Sequence, residues 1–142
     1  MTYSGARILA LDFGARRIGL AVSDPLGLTA QGLPTLERRN REQDIAALLS
    51  LAKDREATLW LMGLPLHLSG NEGSQAHKAR AFGEHLAARS GIPVEFWDER
   101  LTTVVAEGVL REAGVSLAKR RRAVDRLAAV ILLQSYLEAQ RR

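Results

Sequence analysis

The sequence contains no cysteine, which excludes disulfides and thiolate-bound metals and fits a cytoplasmic protein. It also has no apolar run approaching the length of a membrane span, and no charged, apolar, small-residue leader at its start, so no membrane partner is expected. Neither a GxxxxGK[ST] phosphate loop nor a GxGxxG fingerprint is present, and no serine sits in a recognisable nucleophile motif. His67, His77 and His85 match no metal-ligand spacing and read as incidental. What remains is a chain of 142 residues, 46% hydrophobic and 25% charged, read as a single domain over residues 1–142.

Charge is unevenly placed along it. The net value is +4, yet the first 99 residues are close to neutral and the excess falls after them. It includes the run Lys119-Arg120-Arg121-Arg122, which reads as a basic loop. Such a patch attracts phosphates by counterion release and bidentate contacts, and as a plain solvated face it would do nothing more.

Residues 6–13 (ARILALDF) and 18–24 (IGLAVSD) predict two strands joined by a short turn. A third extended piece, 28–37, carries Gly32 and Pro34 and reads as an edge strand. Helical spacing of Ile45, Leu48, Leu49 and Ala52 predicts a helix over 41–56, followed by a buried strand over 57–65. A glycine-containing loop then leads to a helix over 74–89, stopped by Gly91 and Pro93. A strand over 93–99, a helix capped by Thr102 or Thr103 and running to Glu112, and a last helix over 123–140 complete the order. Three strands able to pair antiparallel, then two reached by helical crossovers, make a mixed five-stranded sheet flanked by helices. That is a ribonuclease H-like α/β arrangement.

Four acids fall where core is expected. Asp12 ends the first strand, Asp98 and Glu99 close the fifth, and Asp125 lies in the first turn of the final helix. Helical spacing puts Asp125 on one face with Ala128, Ala129, Leu132 and Tyr136, a face turned to the sheet. Each acid has a plainer reading alone: Asp125 as a dipole partner, Asp98 and Glu99 as partners of Arg100, Asp12 as a partner of Arg16 or Arg17. Their joint placement points elsewhere. Carboxylates gathered in one small volume need a counter-charge, which hard divalent cations supply. Two such ions, about 3.5–4 Å apart, can activate water and stabilise the leaving oxygen of a phosphodiester.

LALDFGARRIGLAVSD, MGLPLHLSGNEG, WDERLTTVVAE and VDRLAAVILLQSYL together resemble the four successive motifs of the YqgF family, also called RuvX. The resemblance runs over essentially the whole chain. It implies a ribonuclease H-like fold related to RuvC-type Holliday junction resolvases, and nuclease activity in maturing the 5′ end of pre-16S rRNA for ribosome biogenesis. The alternative it implies is resolution of branched DNA in recombination and repair. It also implies catalytic acids at Asp12, at Asp98 and Glu99, and at Asp125, with Asp12, Glu99 and Asp125 as ligands of a two-metal Mg²⁺ or Mn²⁺ site. Which of Asp98 and Glu99 binds metal stays open, with the glutamate preferred by analogy with related resolvases. Ala15-Arg16 departs from the small polar residue and lysine of many members but keeps a cation in the turn.

Around these acids, Arg16, Arg17, Arg100 and Lys119 to Arg122 are the candidate nucleic-acid contacts. The loop between Gly63 and Gly73 is expected to shape the groove. Two readings compete with a nuclease. One is an ATP-binding protein of the actin and sugar-kinase type, whose opening hairpin is similar but whose cleft needs more than twice this length. The other is a catalytically silent nucleic-acid-binding module. Junction resolution would further require two sites, hence a homodimer.

Overall fold

In the computed structural model the described residues are 7–65, 72–99, 114 and 116–140, without the side chains of 117–126. Strands β1 (Arg7–Phe13), β2 (Arg17–Ser23) and β3 (Ala30–Glu37) come first. Helix α1 (Arg41–Arg55), strand β4 (Ala57–Leu64), helix α2 (Ser74–Ser90) and strand β5 (Val94–Asp98) follow, and helix α3 (Leu117–Gln140) closes the chain. The predicted helix from Thr102 or Thr103 to Glu112 lies outside the described residues.

The sheet has the order β3-β2-β1-β4-β5. β1 pairs antiparallel with β2 and parallel with β4, while β5 continues the parallel half and β3 is an antiparallel edge. The first strand is therefore central, with the fifth one place removed. Pro34, which cannot donate to a ladder, sits on the edge strand as its chemistry requires.

Alternation along the strands builds two cores. Leu9, Leu11, Ile18, Leu20, Trp60 and Met62 face α1 and α2 with Ile45, Leu48, Phe82 and Leu86. Ala10, Ala21 and Leu61 face the other way, against Ala129, Leu132, Leu133 and Tyr136 of α3. The face turned to α3 is built from smaller residues near the strand centres, so this helix lies close to the sheet. The Tyr136 hydroxyl donates to Glu95, and its ring meets Trp97 edge-on at 5.3 Å between centroids, which fastens α3 to β5.

One expectation is corrected. The basic run Lys119 to Arg122, read as a loop, belongs to α3, which starts at Leu117 rather than at residue 123. Leucine, alanine, lysine and arginine are all good helix formers, and no glycine or proline interrupts 117–122. Charge density alone is no helix breaker. At the other helix ends the differences are single residues: α1 stops at Arg55, with Glu56 in the left-handed region (φ 55°), and α2 runs on to Ser90.

Candidate active site

Asp12 is the next residue after Ala10 on the α3-facing side of β1, which is why its carboxylate leaves the core at the carboxyl end of the strand. Its register partner is Gly19 of β2. A Cβ placed on Gly19 would stand 3.4 Å from the Cβ of Asp12 and 3.7 Å from that of Ala129. These are ordinary contact distances, and α3 packs directly over Gly19 beside Asp12.

Glu99 arrives from two strands away. It directly follows β5, and β4 lies between β5 and β1. It crosses that distance over Gly63 of β4, where an added Cβ would be 3.3 Å from Cγ, Cδ and Oε1 of Glu99. The glycine is a gap in the strand surface, and the glutamate lies in it. Glu99 shares a hydrogen bond with Asp12, and its carboxyl is pushed up to about 9. Burial is the largest cause, followed by the hydrogen bond and the charge of Asp12. Asp98 ends β5 on the phase that carries Val94 and Phe96 towards α1 and α2, one residue out of step with Glu99. Of the two acids, Glu99 is the one the fold brings against Asp12.

Asp125 occupies α3 one helical turn before Ala129, the residue that meets Gly19. Its side chain lies outside the described residues, as do those of Lys119 to Arg122, all of Arg100 and His67, and most of the loop from Gly63 to Gly73. Among the described residues no group of three or more His, Asp or Glu could hold a metal ion. Two carboxylates in contact nevertheless suit a hard divalent cation: both donors are oxygen, and burial beside the Asp12 carboxylate favours a proton on Glu99, a place a cation could take.

A groove of about 290 Å³ opens from Asp12 between β2, β3 and α3, and Arg17, Gly32, Leu127 and Val130 line its walls. Arg17 pairs at 3.2 Å with Glu37, not with Asp12, and both side chains of that pair are well exposed. An exposed pair of this kind is worth little, so Arg17 can be transferred to a phosphate at small cost. Arg16 is exposed in the turn, and its carbonyl accepts from the Arg38 N–H at 2.8 Å. His77 is exposed and His85 touches Glu42, both away from these acids.

Three contributors escape a sequence reading. Gly19 and Gly63 carry a signal, since glycine inside a strand marks a close approach, but not what approaches. Arg38 carries none. Its guanidinium donates to the Gly14 carbonyl at 3.0 Å, lies 4.3 Å above the Phe13 ring, and pairs at 3.6 Å with buried Asp44. It thereby holds the hairpin turn that presents Arg16 and Arg17.

Comparison with known proteins places these features. The family model described as "RuvX: Holliday junction resolvase" matches residues 6–139. A protein of Koribacter versatilis (strain Ellin345) named "Putative pre-16S rRNA nuclease" is 57% identical over 132 residues, 93% of this chain and 86% of its own. A protein of the same name from Symbiobacterium thermophilum is 50% identical over 134 residues, 94% of this chain and 93% of its own. Among solved structures, Thermus thermophilus RuvC in complex with a Holliday junction substrate superimposes with a TM-score of 0.59 at 16% identity, covering 95% of both chains. At that identity the likeness speaks for the fold, which is the ribonuclease H-like arrangement.

Proposed function

The chain belongs to the RuvX family, and on that premise we propose that it is a divalent-metal-dependent nuclease that hydrolyses phosphodiester bonds in structured nucleic acid. Processing of the 5′ end of pre-16S rRNA is the reaction its relatives' names favour, and it would place the protein in the cytoplasm. Among the described residues no helix is long and apolar enough to cross a membrane. The observation that carries the reading is the contact between Asp12 and Glu99, made across an intervening strand at the mouth of a groove.

Asp12 and Glu99, with Asp125 as the third acid, would hold Mg²⁺ or Mn²⁺. When bound, a pair of such ions polarises the phosphate and lowers the pKa of water. The chain's own residues do the rest. Gly63 keeps Glu99 within reach of Asp12, and Ala129 over Gly19 brings the helix carrying Asp125 beside them. Arg17, at the groove wall, meets the phosphate backbone, with Arg16 beside it in the turn. Arg100 and Lys119 to Arg122 would be further phosphate contacts.

The test offers purified protein a 5′-extended pre-16S RNA and a four-way DNA junction, each in Mg²⁺, in Mn²⁺ and in EDTA. Cleavage of the RNA that disappears in EDTA and in Asp12→Asn is the expected outcome. Equal cleavage by Asp12→Asn would remove the proposed site. The family description favours a second reading, junction resolution, which requires two sites and hence a homodimer. Paired symmetric cuts in the junction, with the RNA untouched, would select it.

A further inference from the structure

Asp12 and Phe13 are neighbours on β1 and so open on opposite faces of the sheet. Asp12 faces the groove under α3. Phe13 faces a second pocket, of about 220 Å³, between the start of α1 and the first turns of α2. Among the described residues its lining is Phe13, Arg38, Arg41, Lys78, Ala81 and Phe82: three cations, two aromatic rings and no acid.

The cations are not equivalent. Arg38 is partly neutralised by Asp44. Arg41 and Lys78 are exposed, stand on different helices, and form no ion pair with any described residue. The nearest acid in sequence, Glu42, is engaged by His85 and Arg89. Two like charges brought to one pocket without a counter-charge repel each other, and an anion between them reverses the sign of that interaction. The Phe13 and Phe82 rings, 4.6 Å apart between centroids, give the pocket an apolar floor. The hairpin turn at Gly14 to Arg16 follows Phe13 directly and leads to Arg17 at the groove wall, and the Arg38 guanidinium of the pocket donates to its Gly14 carbonyl.

We propose that this pocket is a second phosphate subsite, in which Arg41 and Lys78 hold the backbone of the strand being cut after it has crossed the hairpin turn. The assignment rests on the nuclease reading and extends its contact surface to the other face of the sheet. It differs from the basic run of α3, which comes from the opposite layer of the fold.

The test measures binding of a labelled RNA hairpin with a single-stranded 5′ extension, by fluorescence anisotropy in EDTA over a series of salt concentrations. The double variant Arg41→Ala, Lys78→Ala should bind about tenfold more weakly, and its slope of log K against log salt should be shallower by roughly 1.5, as for two lost phosphate contacts. Lys53→Ala, Arg55→Ala removes the same charge from the far end of α1, about 20 Å away, and should keep the wild-type slope. Unchanged thermal melting of both variants excludes a folding defect. Equal slopes in wild type and the pocket variant, or an equal drop in the far-end variant, would overturn the subsite while leaving the nuclease reading intact. Failure of the wild-type chain to bind the RNA would overturn both.

Discussion

At the scale of single residues, the proposed site sets a proton against a cation for two carboxylates. Glu99 is raised from 4.5 to about 9 in the folded chain. A raised value means that the folded state holds the proton more tightly, so its contribution to stability is complete below pH 4.5 and is lost as pH rises through about 9. Melting curves in EDTA should therefore fall across that window, with a flatter profile for Glu99→Gln. Parallel profiles for the two proteins would refute the shared proton. Mn²⁺ should raise the melting temperature more at the alkaline end than at the acid end. Catalysis should be less tolerant than folding: Asp12→Asn and Glu99→Gln are each expected to cut about 100-fold more slowly or worse, a loss of roughly 3 kcal/mol of transition-state stabilisation. Gly63→Ala probes the same pair from below. Its Cβ would stand 3.3 Å from three atoms of Glu99, displacing a flexible side chain and not backbone. Several-fold weaker Mn²⁺ activation with little change in melting is the expected result, and an unaltered metal titration would remove Gly63 from the site.

At the scale of elements, close approach decides more than propensity does. Gly83 of α2 has room for nothing: an added Cβ would be 2.8 Å from the Met62 sulfur and 2.8 Å from the Phe96 ring. Glycine to alanine in a helix gains about 1 kcal/mol of propensity. Overpacking a core costs about 1–3 kcal/mol, so Gly83→Ala should lower stability in urea melts, against the rule for helices. The hairpin turn has its own anchor. Removing Arg38 would leave Asp44, 2% exposed, as a buried charge without its ion pair. A loss of about 3 kcal/mol is expected for Arg38→Ala, with part recovered when Asp44→Asn is added. These anchors explain what the sequence could and could not reveal. Strand alternation in ILALDF and helical spacing in α1 and α2 were legible, because burial writes them into the order of residue types. The start of α3 was not, since arginine-rich helix and arginine-rich loop read alike. Nor was the Arg38–Asp44 pair, made by two residues in a polar stretch that periodicity does not describe.

At the scale of the whole molecule, the order β3-β2-β1-β4-β5 brings the carboxyl ends of the three parallel strands to one edge, with acids on one face and the Phe13 pocket on the other. The mixed sheet, three antiparallel strands followed by two reached through helical crossovers, was legible from connectivity alone. Which of Asp98 and Glu99 stands against Asp12 depends on the phase of β5 against its neighbours, which a one-residue shift would have reversed. Neutralising Lys119 to Arg122 should weaken RNA binding at low salt far more than at high salt, and an unchanged salt dependence would take the start of α3 out of the contact surface. The distance in sequence between Asp12 and Glu99 has a last consequence. Domains form as units while synthesis proceeds from the amino end. A growing chain carries Asp12 from its first strand onward, yet has no partner for it until residue 99 has been added and β4 and β5 have docked. On the proposed mechanism a nascent chain, surrounded by RNA on the ribosome, stays unable to cut until residue 99 has emerged and β5 has docked.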